Sequence, residues 1–222
     1  MTDTTTPART GAARRAIRYE VATIAYNIGE GAVAIAAGLI AGSVALTGFG
    51  FDSIIEVAAA TVVLVRLRAE LTGGEIDERK QRRALRFIAV TFFALAAYVI
   101  AEGARDLLTD SRPDTSWVGI ALTGASIVVM PALARAKRRT GQDLGSALVI
   151  ADAAETRLCA WLSLSTFAGL VAFAATDATW VDPIAGFAIA YFAIREGREA
   201  WQGELLCEDH NDDAPEAGTK IA

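Results

Sequence analysis

Residues 42–65 read Gly-Ser-Val-Ala-Leu-Thr-Gly-Phe-Gly-Phe-Asp-Ser-Ile-Ile-Glu-Val-Ala-Ala-Ala-Thr-Val-Val-Leu-Val. From Val44 onward the run is long and apolar enough to cross the roughly 30 Å hydrocarbon core of a bilayer as a helix. Midway along it stand two carboxylates, Asp52 and Glu56. A charged side chain at the bilayer centre costs about 2.5–3.5 kcal/mol, so its presence there marks a candidate functional site. Four residues apart, the two project from one helix face with Cβ atoms about 5–6 Å apart.

Outward from this stretch, five more apolar segments flank it, giving spans at about Ile17–Ile40, Val44–Val65, Leu85–Leu108, Trp117–Ala134, Leu148–Ala175 and Val181–Trp201. None shows the alternation of a barrel strand, and in lipid a helix satisfies its own backbone hydrogen bonds. The expectation is an all-α integral membrane six-helix bundle. Positive charge alternates from loop to loop. Arg14, Arg15 and Arg18 precede the first span. Arg66, Arg68, Arg79, Lys80, Arg82, Arg83 and Arg86 lie between the second and third. Arg135, Lys137, Arg138 and Arg139 are expected in a loop between the fourth and fifth. The intervening loops are short and poor in cations. The positive-inside rule then places both termini in the cytoplasm and predicts a multi-pass protein of the cell's inner (plasma) membrane.

The expected layout is a polar cytoplasmic arm over residues 1–16, a transmembrane domain over 17–203 and an acidic, disordered tail over 204–222. Residues 1–16 lack the apolar core of a signal peptide. Hydrophobic residues make up 53% of the chain, and the net charge of −5 owes much to the tail, so no nucleic-acid partner is expected. The only cysteines, Cys159 and Cys207, do not make a disulfide framework. Trp117, Trp180 and Trp201 sit at span ends, as interfacial anchors do. Gly38 and Gly42, followed by Gly48 and Gly50, offer a small surface for close approach of the first two helices.

A second stretch, Gly145-Ser146-Ala147-Leu148-Val149-Ile150-Ala151-Asp152-Ala153-Ala154-Glu155-Thr156-Arg157-Leu158-Cys159, echoes the first. Gly42-Ser43 precedes Asp52 and Glu56 by the same offsets at which Gly145-Ser146 precedes Glu155 and Cys159. The second and fifth helices run in opposite directions, so the two pairs are expected at similar depth. Together Asp52, Glu56, Glu155 and Cys159 can supply the four ligands of a tetrahedral metal site. Asp152, Asn27 and Glu30 are further candidates as ligands or pathway residues. So many acidic groups in low dielectric require protons, a cationic partner or a bound cation. The plainer alternative has them bonding neighbouring helices or pairing with Arg157. Glu102, Arg105 and Asp106 read as an ion network near the outer surface.

These motifs resemble the transmembrane domain of the cation diffusion facilitator (cation efflux) family over about residues 15–205. The family's paired ligands on its second and fifth helices match Asp52/Glu56 and Glu155/Cys159. Its sixth helix is echoed in Trp180-Val181-Asp182-Pro183 and in Arg195-Glu196-Gly197-Arg198-Glu199-Ala200. The sequence departs from the family pattern in using Glu155 and Cys159 where His or Asp and then Asp are usual. It has no His-rich loop, its one histidine being His210. The family's cytoplasmic metal-binding domain has no counterpart either, so a compact subgroup is expected. The resemblance implies a homodimer exporting a divalent metal in exchange for protons, with Zn²⁺ the expected cargo and Co²⁺, Fe²⁺, Mn²⁺ and Cd²⁺ open. The metal is then cargo, and no cofactor is expected. No nucleophile–base pair suggests an enzyme. The rival readings are a proton-coupled exchanger of a small organic solute and a non-transporting membrane metal sensor or partner-binding protein.

Overall fold

The computed structural model describes residues 7–72, 78–109 and 113–202, and among them every regular element is an α-helix. The chain forms a six-helix bundle: α1 (Pro7–Ala41), α2 (Val44–Thr72), α3 (Glu78–Thr109), α4 (Trp117–Leu144), α5 (Ala147–Thr176) and α6 (Val181–Gln202). By length and composition, α1, α2, α4 and α5 are each long and apolar enough to cross a membrane. α3 and α6 carry charges in the last third of the helix, Glu102, Arg105 and Asp106 in one and Arg195, Glu196, Arg198 and Glu199 in the other. The side-chain distribution suits hydrocarbon surroundings. Ile28, Ile40, Val128 and Trp161 face outward, whereas Glu20, Asn27, Glu30, Asp52 and Lys137 face inward.

Two hairpins follow one plan. Gly42 and Gly145 both adopt left-handed backbone, with φ of 67° and 62°, a region that glycine enters without penalty. The next residue then caps the following helix. Ser43 Oγ accepts from Leu46 N at 3.1 Å, and Ser146 Oγ accepts from Val149 N at 3.5 Å. The backbone matches too: Ser43 N donates to Gly38 O at 2.9 Å and Ser146 N to Gly141 O at 3.0 Å. Both glycines that accept these bonds lie at tight crossings. A Cβ on Gly38 would sit 2.6 Å from Thr47 N, and one on Gly141 would sit 3.1 Å from Ile150 N. Of the expected Gly38/Gly42 step, only Gly38 lies at the α1–α2 crossing, where Gly50 joins it against Ile35 of α1, while Gly42 serves the left-handed turn. Gly48 instead faces Val99 of α3.

The α1–α2 and α4–α5 hairpins and the pair α3–α6 are the three most extensive interfaces. In the last of these, Phe187 fills the notch at Gly103 and Phe93 the notch at Gly197. A core of Ala34, Leu46, Phe49, Leu162 and Ile189 joins α1, α2, α5 and α6. Asp182, prominent in the sixth-helix motif, ties α6 to the start of α2. Its carboxylate accepts from Ser43 Oγ at 2.5 Å and from Val44 N at 2.8 Å, placing negative charge on a helix N-terminus. Trp117, Trp180 and Trp201 are all exposed at helix ends, as anchors require.

Four boundaries differ from expectation, one of them the start of α3, at Glu78 and not Leu85. α1 starts at Pro7, so part of the anticipated polar arm is helical, with Ala12, Ala13 and Ala16 buried. α2 continues to Thr72. Most consequentially, α4 does not stop at Ala134 but runs to Leu144, so Arg135, Lys137, Arg138 and Arg139 are helical residues and not a loop. The tail at 204–222, with Cys207 and His210, lies outside the described residues.

The orientation of α4 is open to direct measurement. Its 28 residues span roughly 42 Å at 1.5 Å per residue, enough to carry its ends to opposite membrane faces. Single cysteines at the exposed positions Asp114 and Gln142, in a background free of native cysteines, should react with impermeant maleimide from opposite sides. Reaction of both from one side would overturn the six-span topology.

Candidate cation-binding site

The candidate residues separate into three buried groups. The first is the anticipated pair of helices. Asp52 on α2 is buried and its Oδ2 lies 3.6 Å from Cys159 Sγ on α5, so the thiol donates to the carboxylate. Glu56, one turn further along α2, is also buried, and neither of its carboxylate oxygens has a hydrogen-bond partner. Cys159, Thr156 and Lys137 are its electrostatic neighbours. Glu155 is partly exposed and lies within electrostatic range of Glu56, Asp152 and Glu196. The antiparallel α2 and α5 thus bring all four residues to one region of the bundle. Among the described residues, no three His, Cys, Asp or Glu side chains converge as ligands of a single ion in this conformation.

The second group was only partly anticipated. Lys137 is fully buried and its ammonium group binds three partners. Asp152 Oδ2 lies at 2.6 Å, Glu20 Oε2 at 3.0 Å and Thr156 Oγ1 at 3.3 Å. Asp152, a candidate ligand, therefore pairs with a lysine in this conformation. Lys137 had been placed in a basic loop, and the structure corrects this. It is a core residue that joins α1, α4 and α5. Arg157, the cation expected to pair with the acidic cluster, is exposed on the outer face of α5.

The third group is Glu30 and its partners. Ser53 Oγ donates to Glu30 Oε2 at 3.1 Å and Ser126 Oγ to the other oxygen, while Tyr26 Oη shares a 2.8 Å hydrogen bond with Ser126. Glu30 is held by hydroxyls. Asn27 donates to Thr23 O at 3.0 Å, and its Oδ1 is buried without a partner. Near the helix end, Arg105 and Glu102 of the expected ion network pair at 3.0 Å.

Two inward carboxylates were missed, Glu20 and Glu196. Glu20 shares a face with Ala16, Thr23, Asn27 and Glu30, a stripe at three- and four-residue spacing that marks the buried side of α1. Glu196 is buried with one oxygen unpartnered, and it is within electrostatic range of Asp52 and Glu155. It lies in the charged ending of the sixth helix, where its neighbours Arg195 and Glu199 form an exposed pair at 2.9 Å. That neighbourhood hides it from a reading by composition.

A bundle that turns carboxylates inward and apolar side chains outward defines an integral membrane protein with a polar, acidic core. The family model for the cation efflux transmembrane domain matches residues 85–201, more than half of the chain, and the protein belongs to that family. The chain is also similar to a protein described as an uncharacterized transporter of Synechocystis sp., with 24% identity over 190 residues. That alignment covers 83% of this chain and 61% of the relative, so the chain spans about three fifths of the length of the curated relative it matches.

Proposed function

We propose that the protein is a secondary transporter that exports divalent transition-metal cations from the cytoplasm in exchange for protons, with Zn²⁺ as the favoured cargo. The observation that carries this reading is Glu56. A buried carboxylate with both oxygens unpartnered, beside the Asp52–Cys159 hydrogen bond, is costly unless another group binds there. A cation supplies that group. Asp52, Glu56, Glu155 and Cys159 are its proposed ligands, gathered when α2 and α5 close on the ion, with Glu196 at the margin. Carboxylates and a thiolate bind metal only after losing their protons, so protons arriving on the outward side would release the ion. Alternation of the bundle between two faces completes the cycle. The protein is proposed to act as a homodimer, without a resident cofactor and without enzymatic chemistry.

Cys159 gives the sharpest test. A thiolate favours Zn²⁺ and Cd²⁺, whereas carboxylates suit harder ions such as Mn²⁺. In proteoliposomes with an imposed pH gradient, the wild type should transport Cd²⁺ and Zn²⁺ ahead of Mn²⁺. Cys159→Asp should move the preference toward Mn²⁺, and Cys159→Ser should weaken Cd²⁺ competition by about tenfold or more, the size of a lost metal contact. An unchanged ranking across all three proteins removes Cys159 from the ligand set. Absence of metal flux in the wild type overturns the transport reading.

A further inference from the structure

Between α4 and α5, on the outer surface of the bundle, lies a cavity of about 430 Å³ whose rim carries Arg135, Arg138 and Arg157 and whose floor includes Pro131, Ala134 and Ile150. All three arginines are exposed, and none makes an ion pair among the described residues. Other arginines of this bundle do find carboxylates, as in Arg15–Asp143, Arg105–Glu102 and Arg195–Glu199. The reason for the difference lies just behind the cavity wall. Asp152, the nearby carboxylate of α5, is drawn inward by Lys137, and Glu155 projects from the helix face opposite Arg157.

Their depth is specific. The apolar part of α4 ends at Ala134, directly before Arg135 and Arg138, and Arg157 of α5 lines the same cavity as these two. The three guanidinium groups therefore meet where hydrocarbon gives way to headgroups, at the end of the bundle that carries the basic segments. Three unpaired planar cations above an apolar floor fit a phosphodiester with its acyl chains running down the α4–α5 groove. We propose that this cavity binds the headgroup of an anionic phospholipid such as phosphatidylglycerol. The proposal rests on the membrane placement of α4 and α5 and is independent of what the bundle transports.

The test uses the full chain in a neutral detergent, titrated with short-chain phosphatidylglycerol, phosphatidylcholine or inorganic phosphate. Phosphatidylglycerol should bind and raise the melting temperature, whereas the other two should do neither. Each arginine near the surface contributes about fivefold in affinity, so Arg157→Gln should weaken binding by that factor. The triple variant Arg135→Gln/Arg138→Gln/Arg157→Gln should weaken it roughly a hundredfold. Arg14→Gln/Arg18→Gln, on exposed positions of α1, should leave it unchanged. If the triple variant does not fold, the exposed Arg157→Gln alone decides. Unaltered affinity in Arg157→Gln overturns the proposal. Equal losses in the α1 control would show diffuse surface attraction and also overturn it. So would binding of inorganic phosphate as tight as that of the lipid.

Discussion

Lys137→Met lowers the stability of the detergent-solubilised protein by about 3–5 kcal/mol, the cost of leaving a buried charge pair without one member. The substitution keeps the side chain's length and removes its charge. Glu20 and Asp152 then face each other with no cation between them, since Lys137 is fully buried at 3.0 Å and 2.6 Å from their oxygens. A thermal melt should show a fall of roughly 10 °C for a chain of this size. Neutralising the partners as well, in Lys137→Met/Glu20→Gln/Asp152→Asn, should recover most of the loss, because a matched uncharged trio has no charge left to strand. If the single variant melts with the wild type, the trio is not the strut described here. If the triple variant is worse than the single, the carboxylates contribute through packing and not through charge.

The second large effect falls on flux. Asp52→Ala and Glu155→Ala should each bring metal flux in proteoliposomes to the level of protein-free vesicles, a drop of about a hundredfold or more. Both variants should remain folded, and Asp52→Ala should melt no lower than the wild type, since it removes a desolvated carboxylate. Glu30→Gln makes the contrast. Its oxygens are already occupied by Ser53 and Ser126, so flux should fall by less than tenfold. Wild-type flux in either alanine variant would show that only one of the two helices contributes ligands. A Glu30→Gln effect as deep as that of Asp52→Ala would place Glu30 among the ligands instead.

Some of this architecture is written locally and some is not. The two Gly-Ser hairpins were legible because a left-handed turn and a helix cap each need particular residues at particular offsets, and Gly42-Ser43 and Gly145-Ser146 supply both. Asp52 and Glu56 were legible because carboxylates stand out in an apolar run. Lys137 was not, since a lysine beside three arginines after an apolar segment has the appearance of a cytoplasmic loop. The signal that distinguishes it is periodic. Gly119, Thr123, Ser126, Met130, Ala134, Lys137 and Gly141 recur at three- and four-residue steps and form the buried face of α4, so the stripe continues past Ala134. The pairing of Asp152 with Lys137 depends on the α4–α5 crossing and on Glu20 of a third helix, information carried only by tertiary packing. Arg157 shows the converse: a cation within the fifth span suggested a partner for the acidic cluster, but it stands two residues from Glu155, and residues two apart on a helix do not face each other.

The pairing of α3 with α6 bears on how the protein is made. α1 and α2, and likewise α4 and α5, are joined by tight turns, so each pair can leave the ribosome and enter the bilayer as a preassembled hairpin. α3 has no such neighbour. The helix that fills its glycine notches, with Phe187 at Gly103 and with Gly197 receiving Phe93, is synthesised roughly seventy residues later. During that interval α3 holds its place with only its smaller interface to α2. A nascent chain that has not reached Val181 therefore leaves the notch at Gly103 unfilled and Phe93 without its notch. Completion of α6 both closes the bundle and, through Asp182 on the first turn of α2, clasps the last helix to one of the first.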